Sequence, residues 1–278
     1  MVAVVGAGPV GGELAFLLAR RDAVDSIVLV DDSGTVAAGK ALDILQAGPI
    51  APFCARVSAS TDPFVAAGAS IVVLADSAKA GEWPVEAALQ LLGRIVRAGR
   101  STVVICAGVT HAAVVHRAVR DLRMSRHQVF GTAPEALASG IRSLAALEVD
   151  RSPEEIALTV LGVPPNHFVI PWSDGSIGGF STTRLLDEPA RRRLAARSSH
   201  LWPPGPLSLA SAAAAGVLSV VGQSRRSLTA FVAPDEKMGS HRRTGAMPIV
   251  LGPEGIDRIE MPPLAGHEQV ALDNALML

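Results

Sequence analysis

Short apolar runs alternate with helical patterns through the first half of the chain. The runs predict buried β-strands at Val2–Val5, Ser26–Val30, Ile71–Leu74, Thr102–Cys106 and Gln128–Phe130, with a weaker strand at Ala55–Ala59. Between them the spacing of apolar residues predicts helices near residues 10–21, 36–46, 84–98 and 110–122. Strands that are apolar on both faces and separated by helices are typical of parallel βαβ units. Right-handed crossovers then predict a doubly wound α/β sheet.

The second half of the chain has a different pattern. We predict helices near residues 134–147, 187–197, 207–221 and 264–276, and strands near Ala157–Leu161, Phe168–Pro171, Leu228–Val232, Met247–Leu251 and Ile256–Glu260. Consecutive strands mixed with helices indicate an α+β arrangement. The change of pattern falls at residues 131–134 and predicts two domains, residues 1–133 and 134–278.

The loop after the first strand has the pattern G-x-G-x-x-G, in the residues Gly6, Ala7, Gly8, Pro9, Val10 and Gly11. The pattern acquires meaning here because it follows a strand and opens a helix. Gly6 permits a tight turn, Gly8 lets the backbone approach a pyrophosphate, and Gly11 lets the helix pack closely on the sheet. Pro9 suits the first helical turn. The free N–H groups and the helix dipole then favour a phosphate, so these six residues predict a Rossmann dinucleotide site.

An acidic residue follows the second strand at the distance that this fold requires. Asp31 lies 20 residues after Gly11, where a carboxylate meets the adenosine ribose hydroxyls. A carboxylate there repels a 2′-phosphate, so we expect NAD as cofactor in preference to NADP. Two alternatives stay open: Asp32 as the ribose ligand, and a glycine-rich turn that binds nothing.

Composition and charge exclude several classes of partner. Of the 278 residues, 49% are hydrophobic and 18% charged, which favours a folded core over disorder. The net charge of −1 offers no basic surface for nucleic acid. The uncharged stretch 201–224 is interrupted by prolines, so we expect no membrane span. With two cysteines, both expected to be reduced core residues, and no basic leader before Val2, we expect a cytoplasmic protein.

Several motifs together resemble the lactate/malate dehydrogenase family. Besides the glycine loop, they are Val28–Asp31, Gly39–Asp43 (G-K-A-L-D), Val129–Gly131, Leu158–Gly162, Ser211–Ala214 and Pro248–Ile256. The resemblance extends over nearly the whole chain, which is shorter than usual between residues 165 and 206. It implies a Rossmann domain followed by a lactate/malate-dehydrogenase-like α+β domain. It also implies NAD, a small 2-hydroxy or 2-oxo acid as substrate, and a homo-oligomer.

The chemistry implied by the resemblance needs a His proton acceptor, an Asp that orients it, and arginines that polarise the carbonyl and clamp the carboxylate. Pro164 stands at the position of the His, and Leu137 at that of the Asp. The clamping Arg is replaced by Gly140 and the polarising Arg by Val85, while Ala107 replaces an Asn near the nicotinamide. Arg142 matches a family position with a structural role. We therefore expect malate or lactate turnover to be weak or absent.

One substitute constellation is conceivable. His167 lies three residues after Pro164, and Glu135 begins the helix that normally supplies the orienting carboxylate, so the two form a candidate base and its orienter. The alternative is an exposed His in a loop and an acid favoured by a helix dipole.

No metal site is expected, because the closest pair of histidines, His111 and His116, does not share a helix face or have other ligands nearby. Two functions remain open. One is an NAD-dependent dehydrogenase of the malate/lactate type with repositioned acid–base groups. The other is a catalytically silent relative that keeps the fold for binding or assembly.

Overall fold

A central sheet organises the whole molecule, which the computed structural model describes over residues 1–98, 101–235 and 243–277. The strands of the first half are β1 (Val2–Val5), β2 (Ser26–Val30), β3 (Arg56–Ser60), β4 (Ile71–Leu74), β5 (Asp76–Ser77), β6 (Gly81–Glu82), β7 (Val103–Cys106) and β8 (Val129–Gly131). The helices between them are α1 (Pro9–Arg20), α2 (Gly34–Ala47), α3 (Val85–Arg97) and α4 (Ala112–Leu122), with a 3₁₀ turn at Pro63–Gly68.

Six of these strands are parallel, in the order β3-β2-β1-β4-β7-β8. Strands β1, β4 and β7 are buried along their whole length, since helices cover both faces of the sheet. Residues of α1, α2 and α8 pack on one face, and residues of α3 and α4 pack on the other. The predicted doubly wound α/β fold is confirmed. Because the strand order reverses between β1 and β4, the ligand crevice of such a sheet lies at their carboxyl ends.

The second half continues the same sheet with antiparallel strands. Its strands are β9 (Ile156–Ala157), β10 (Leu161–Val163), β11 (His167–Val169), β12 (Ser176–Ile177), β13 (Phe180–Ser181), β14 (Leu228–Val232), β15 (Gly245–Gly252) and β16 (Gly255–Ile259). Its helices are α5 (Ala133–Val149), α6 (Thr182–Leu185), α7 (Glu188–Ser198), α8 (Pro206–Val220) and α9 (Gly266–Met277), with 3₁₀ turns at Pro153–Glu155 and Ser199–Leu201. Phe231 of β14 pairs with Gly131 of β8, so the sheet crosses the predicted boundary at 131–134 without a break.

The predicted strand at Ala157–Leu161 is wrong in its extent. The chain divides there, because Ile156 pairs with Ile177 in a small separate sheet, whereas Gly162 pairs with Ala246 in the central one. Between these pairings the Thr159 hydroxyl lies 2.7 Å from that of Thr229. An apolar run carries no information about which strand each of its ends will pair with. The sequence pattern therefore predicted one strand where the structure has two.

Helices α1 and α8 join the two halves through a shared core. Leu14 and Leu18 of α1 belong to the same buried cluster as Ala213 and Val217 of α8. The small residues of α8 permit this close approach. In the described part of the chain, no helix has both the length and the apolar character needed to cross a membrane.

Candidate nucleotide and reaction sites

The glycine loop has the backbone geometry that its sequence predicts. Gly6 adopts a φ of +112°, a conformation that glycine tolerates best. Helix α1 begins at Pro9. A Cβ atom on Gly11 would lie 2.0 Å from the carbonyl oxygen of Gly6, so this glycine allows the helix to lie against the turn. The turn and packing roles assigned to Gly6 and Gly11 therefore have a direct structural basis.

The close approach at Gly8 involves a side chain of the protein itself. A Cβ atom there would lie 2.4 Å from the carboxyl carbon of Asp76, a residue of β5. Asp76 is buried, and its Oδ1 accepts a hydrogen bond of 3.0 Å from the N–H of Gly11 in the first turn of α1. The backbone N–H of Gly8 donates to the carbonyl of Asp76 at 2.8 Å. A carboxylate thus lies where the motif predicts the approach of a phosphate.

Asp31 is similarly occupied by the backbone. It is 2% exposed, and its Oδ2 accepts hydrogen bonds from the N–H groups of Ala7 (2.8 Å) and Ala78 (2.9 Å). Its Oδ1 accepts from the N–H of Ser33 at 2.8 Å. Burial alone would raise the pKa of Asp31, but these three bonds, aided by the charge of Lys79, outweigh burial and lower the pKa. Asp32 is exposed, at the rim of a cavity of about 180 Å³.

Asp76 belongs to a short antiparallel hairpin, residues 76–82, which we call the crevice hairpin. Its far end is held by Glu82, whose carboxylate accepts from the N–H of Val109 (2.7 Å), from the N–H of Thr110 (3.0 Å) and from the Thr110 hydroxyl (2.6 Å). Val109 and Thr110 lie in the loop between β7 and α4. The crevice hairpin therefore joins the loop before α1 to the loop before α4.

Burial and hydrogen bonding have opposite effects on Glu82. Burial alone would raise its pKa, and the hydrogen bonds from Thr110 and Val109, with the neighbouring His111, lower it overall. His111 is fully buried, and its Nδ1 accepts from the N–H of Gly108 at 3.0 Å. Burial lowers the pKa of His111, while Glu82 acts in the opposite direction. The pKa of Glu82 therefore depends on the same hydrogen bonds that attach this end of the hairpin, and the pKa of His111 depends on Glu82.

Lys40 contacts the nucleotide loop directly, and Lys79 acts nearby through its charge. The Nζ of Lys40, in the G-K-A-L-D segment, donates to the carbonyl of Gly8 at 2.6 Å. A Cβ atom on Gly12 would lie 2.7 Å from the same Nζ. Lys79 is exposed in the crevice hairpin and acts on Asp31 only through its charge. The loop between Gly6 and Gly12 is thus enclosed by internal partners.

The predicted reaction site consists largely of apolar side chains. Leu137, where the resemblance implies the orienting Asp, is 1% exposed in a core cluster with Ile141, Leu158 and Val160. Leu201 and Trp202 pack against the same cluster. A Cβ atom on Gly140 would lie 3.0 Å from a methyl group of Leu201, so this side chain lies against the position of the clamping Arg.

Three other positions at which the resemblance implies polar groups are apolar as well. Pro164 is buried in the turn between β10 and β11. Ala107 is fully buried at the end of β7, and Val85 packs partly buried at the start of α3. None of these three side chains has a group that transfers a proton or holds a carboxylate.

The structure does not bring His167 and Glu135 together. Glu135 is 8% exposed; its Oε1 forms an ion pair with Arg142, and its Oε2 accepts from the N–H of Thr229 at 2.8 Å. His167 is exposed on β11, opposite Val163 in a β-hairpin. Among the described residues no hydrogen bond or ion pair joins the two side chains. Arg142 is instead the ion-pair partner of Glu135.

Comparisons with known proteins agree with this topology. Residues 1–97 match the sequence model described as "lactate/malate dehydrogenase, NAD binding domain". The chain is 25% identical to a malate dehydrogenase of Thioalkalivibrio sulfidiphilus, over 99% of this chain and 95% of that one. It is 27% identical to a malate dehydrogenase of Thermomicrobium roseum, over 98% and 93% of the two chains. The chain is therefore similar over nearly its whole length to malate dehydrogenases, and its first 97 residues match the NAD-binding domain of the lactate/malate dehydrogenases.

Solved structures of this family share the fold. The malate dehydrogenase of Aeropyrum pernix superimposes with a TM-score of 0.88 at 19% identity, over 99% of this chain and 95% of that one. The minor L-lactate dehydrogenase of Enterococcus mundtii gives a TM-score of 0.84 at 17% identity, over 99% and 94%. The chain therefore shares the fold of these two dehydrogenases.

The match to an NAD-binding domain implies NAD, and the residues of this conformation do not accommodate its pyrophosphate. The carboxylate of Asp76 lies against Gly8 and uses the N–H of Gly11. A second anion at the same place would meet that charge at close range. The loop is complete without a nucleotide.

Sequence reasoning missed the crevice hairpin, whose strands contain two residues each. Such strands are too short for a period-2 pattern. The signal present was an acid two residues after the end of a buried strand, at Asp76. One cysteine also differs from expectation: Cys106 is buried, whereas Cys54 is exposed, and both are free. Within the described ranges, no cluster of three or more potential ligands could hold a metal ion.

Proposed function

We propose that this protein is a silent or nearly silent member of its family with respect to malate and lactate. One observation carries the proposal: Leu137, at the position expected for the orienting carboxylate, lies inside an apolar core. A dehydrogenase of this type moves a proton and holds a carboxylate at the reacting carbon. Apolar side chains at these positions provide neither function.

The expected loss is large because several contributions disappear together. General acid–base catalysis typically contributes about 10²–10⁴-fold in rate. Electrostatic stabilisation by preorganised donors contributes a further factor of about 10²–10³ for one donor. Groups that act as a unit are not additive, so one surviving group would not preserve a fraction of the rate.

The test is reduction of oxaloacetate or pyruvate, followed through NADH absorbance. We expect no rate above that of a heat-denatured sample for either substrate. A robust rate would contradict the proposal. In that case His167→Ala is the decisive variant, since loss of the rate would identify His167 as the replacement base, and an unchanged rate would leave Glu135 and Arg142 to be tested.

We also propose that a dinucleotide, when bound, contacts the loop residues Gly6 to Gly11 and lies with its ribose towards Asp31. The carboxylate of Asp31 is held in place by three backbone N–H groups, so it would repel a 2′-phosphate. This favours NAD over NADP. Binding of NADPH as tight as that of NADH would contradict the preference.

Self-association follows from the family resemblance, and exposed apolar residues of α2 support it. Val36, Leu42 and Leu45 lie exposed on this helix. We propose a homo-oligomer in the cytoplasm, where free thiols such as Cys54 stay reduced. Light scattering coupled to size exclusion tests the first point, and a mass corresponding to one 28.7 kDa chain at high concentration would refute it.

A further inference from the structure

The crevice hairpin occupies the place at which a doubly wound sheet takes its ligand. It crosses the carboxyl ends of the strands near the reversal between β1 and β4. Three contacts attach it to three different strand ends. Asp76 binds the loop after β1, the N–H of Ala78 binds Asp31 after β2, and Glu82 binds the loop after β7.

Two of these contacts place a carboxylate at the beginning of a helix. The N-terminus of a helix attracts anions because its first N–H groups lack partners and its dipole is positive there. Asp76 supplies the anion to α1 through Gly11, and Glu82 supplies it at Val109 and Thr110, just before α4. A dinucleotide pyrophosphate would use the first of these positions.

The glycine loop fits the carboxylate as closely as it would fit a ligand. The Cα of Gly8 lies so close to Asp76 that any Cβ would overlap its carboxyl group. The carbonyl of Asp76 also accepts from the N–H of Gly8, so backbone and side chain of one residue bind both ends of the turn. Lys40 contacts the carbonyl of Gly8 from the other side.

We propose that Asp76 acts as an internal anion that closes the nucleotide loop, and that a dinucleotide binds only after the crevice hairpin leaves the crevice. The inference rests on the proposed nucleotide role of this loop. Asp76 then sets the affinity for NAD. A pyrophosphate that binds must displace the carboxylate of Asp76, and the negative charge of that carboxylate stays close to the bound pyrophosphate. Glu82 is a positioning residue that acts through the other end of the hairpin.

The experiment measures NADH binding to the full chain by calorimetry, with Asp76→Asn as the central variant. The amide keeps the size of the side chain and an oxygen for the N–H of Gly11, and it removes the charge. Asp187→Asn is the matched control, because the Oδ1 of Asp187 accepts from Ala190 at 2.8 Å and caps α7, away from the crevice. We expect D76N to bind NADH at least tenfold more tightly than the wild-type chain, with D187N unchanged. Equal micromolar binding by wild type and D76N would overturn the inference and leave NAD binding intact.

Inorganic pyrophosphate separates the two proposals. If D76N gains affinity for pyrophosphate and not for NADH, the role of Asp76 stands and the proposed NAD binding fails. If D76N gains affinity for neither, the carboxylate does not control the loop and the inference is wrong.

A third variant tests the proposal even if D76N does not fold. Glu82→Gln weakens the attachment at Val109 and Thr110 while Asp76 stays in place. We expect a severalfold tighter binding of NADH and faster amide hydrogen exchange in the peptide covering residues 76–82. Faster exchange with unchanged NADH affinity would mean that the hairpin is structural only, and would contradict the proposal.

Discussion

The nucleotide crevice and the predicted reaction site differ in which side chains occupy the positions where ligand contacts are expected. At the crevice the occupants are charged groups on a short surface hairpin, attached by hydrogen bonds at Asp76 and Glu82. At the reaction site the occupants are apolar side chains of a core cluster, among them Leu137 and Leu201. A hairpin held by a few hydrogen bonds opens locally at low cost. A packed core does not, because it loses contacts throughout the cluster.

The difference teaches which function a single substitution can restore. Removing one charge at Asp76 leaves the glycine loop, the helix N-terminus and Asp31 ready for a nucleotide. Placing a carboxylate at position 137 puts an unpaired charge in apolar surroundings and, on the proposed function, supplies no proton acceptor. We therefore expect one substitution at Asp76 to improve nucleotide binding, and one substitution at position 137 to restore no reaction.

The largest expected effect tests the apolar site. Leu137→Asp buries an uncompensated carboxylate in the core cluster, so we expect the free energy of unfolding to fall by about 3–5 kcal/mol, with no gain in oxaloacetate reduction. Urea unfolding followed by circular dichroism measures the change. Leu147→Asp is the control on the same helix, because Leu147 is 76% exposed; its cost should stay below about 1 kcal/mol. Similar losses of unfolding free energy at positions 137 and 147 would show that residue 137 does not lie in a tightly packed core.

An intermediate effect tests the contact between the glycine loop and the crevice hairpin. Gly8→Ala places a methyl group on the carboxyl group of Asp76, so we expect a destabilisation of about 1–3 kcal/mol. In the Asp76→Ala background the same change should cost less, since the obstructing group is gone, with a coupling energy of about 0.5–3 kcal/mol in the double-mutant cycle.

Gly39→Ala is the control for the glycine substitution. Gly39 is exposed in α2, and no atom lies within 4 Å of the place that a Cβ atom would take there. Alanine there should stabilise the protein by about 0.5–1 kcal/mol, as expected for a helix interior. If the effects of the substitutions at positions 8 and 76 on the free energy of unfolding were additive, the two residues would not interact, and the described contact would be refuted.

The smallest effect concerns pH. The pKa values of Asp31 and Glu82 are lowered by their hydrogen bonds in the folded state, so the unfolded chain binds more protons as pH falls through the ordinary carboxyl range near 4. Their stabilisation is therefore complete above that range and disappears as pH falls through the folded pKa values. Burial also lowers the pKa of His111, which adds a loss of stability that begins below about pH 6.5.

Urea unfolding between pH 7 and 3 measures this dependence. Glu82→Gln should flatten the acid part of the curve, because the variant has no carboxyl group to protonate at Val109 and Thr110. An identical pH dependence in wild type and variant would show that Glu82 does not contribute through its charge.

Much of the first half was predictable from local pattern. Strands β1, β2 and β4 have the predicted bounds, since apolar runs buried on both faces leave few alternatives. The turn at Gly6 and the start of α1 at Pro9 follow from the conformational limits of those residues. The second half was less predictable around residues 156–163, where the partner strand of each segment depends on residues far away in the chain.

Sequence alone determined the doubly wound architecture and the glycine turn, and it predicts the loss of polar groups at Pro164, Leu137 and Gly140. It did not determine what lies beside Gly8 or which partners Asp31 has. Only the tertiary structure decided these, because a hydrogen bond from Gly11 to Asp76 spans 65 residues and depends on β1 and β4 lying side by side. The same glycine pattern accepts a phosphate or a carboxylate, since both present an oxygen anion to the helix N-terminus, and the fold brings the carboxylate.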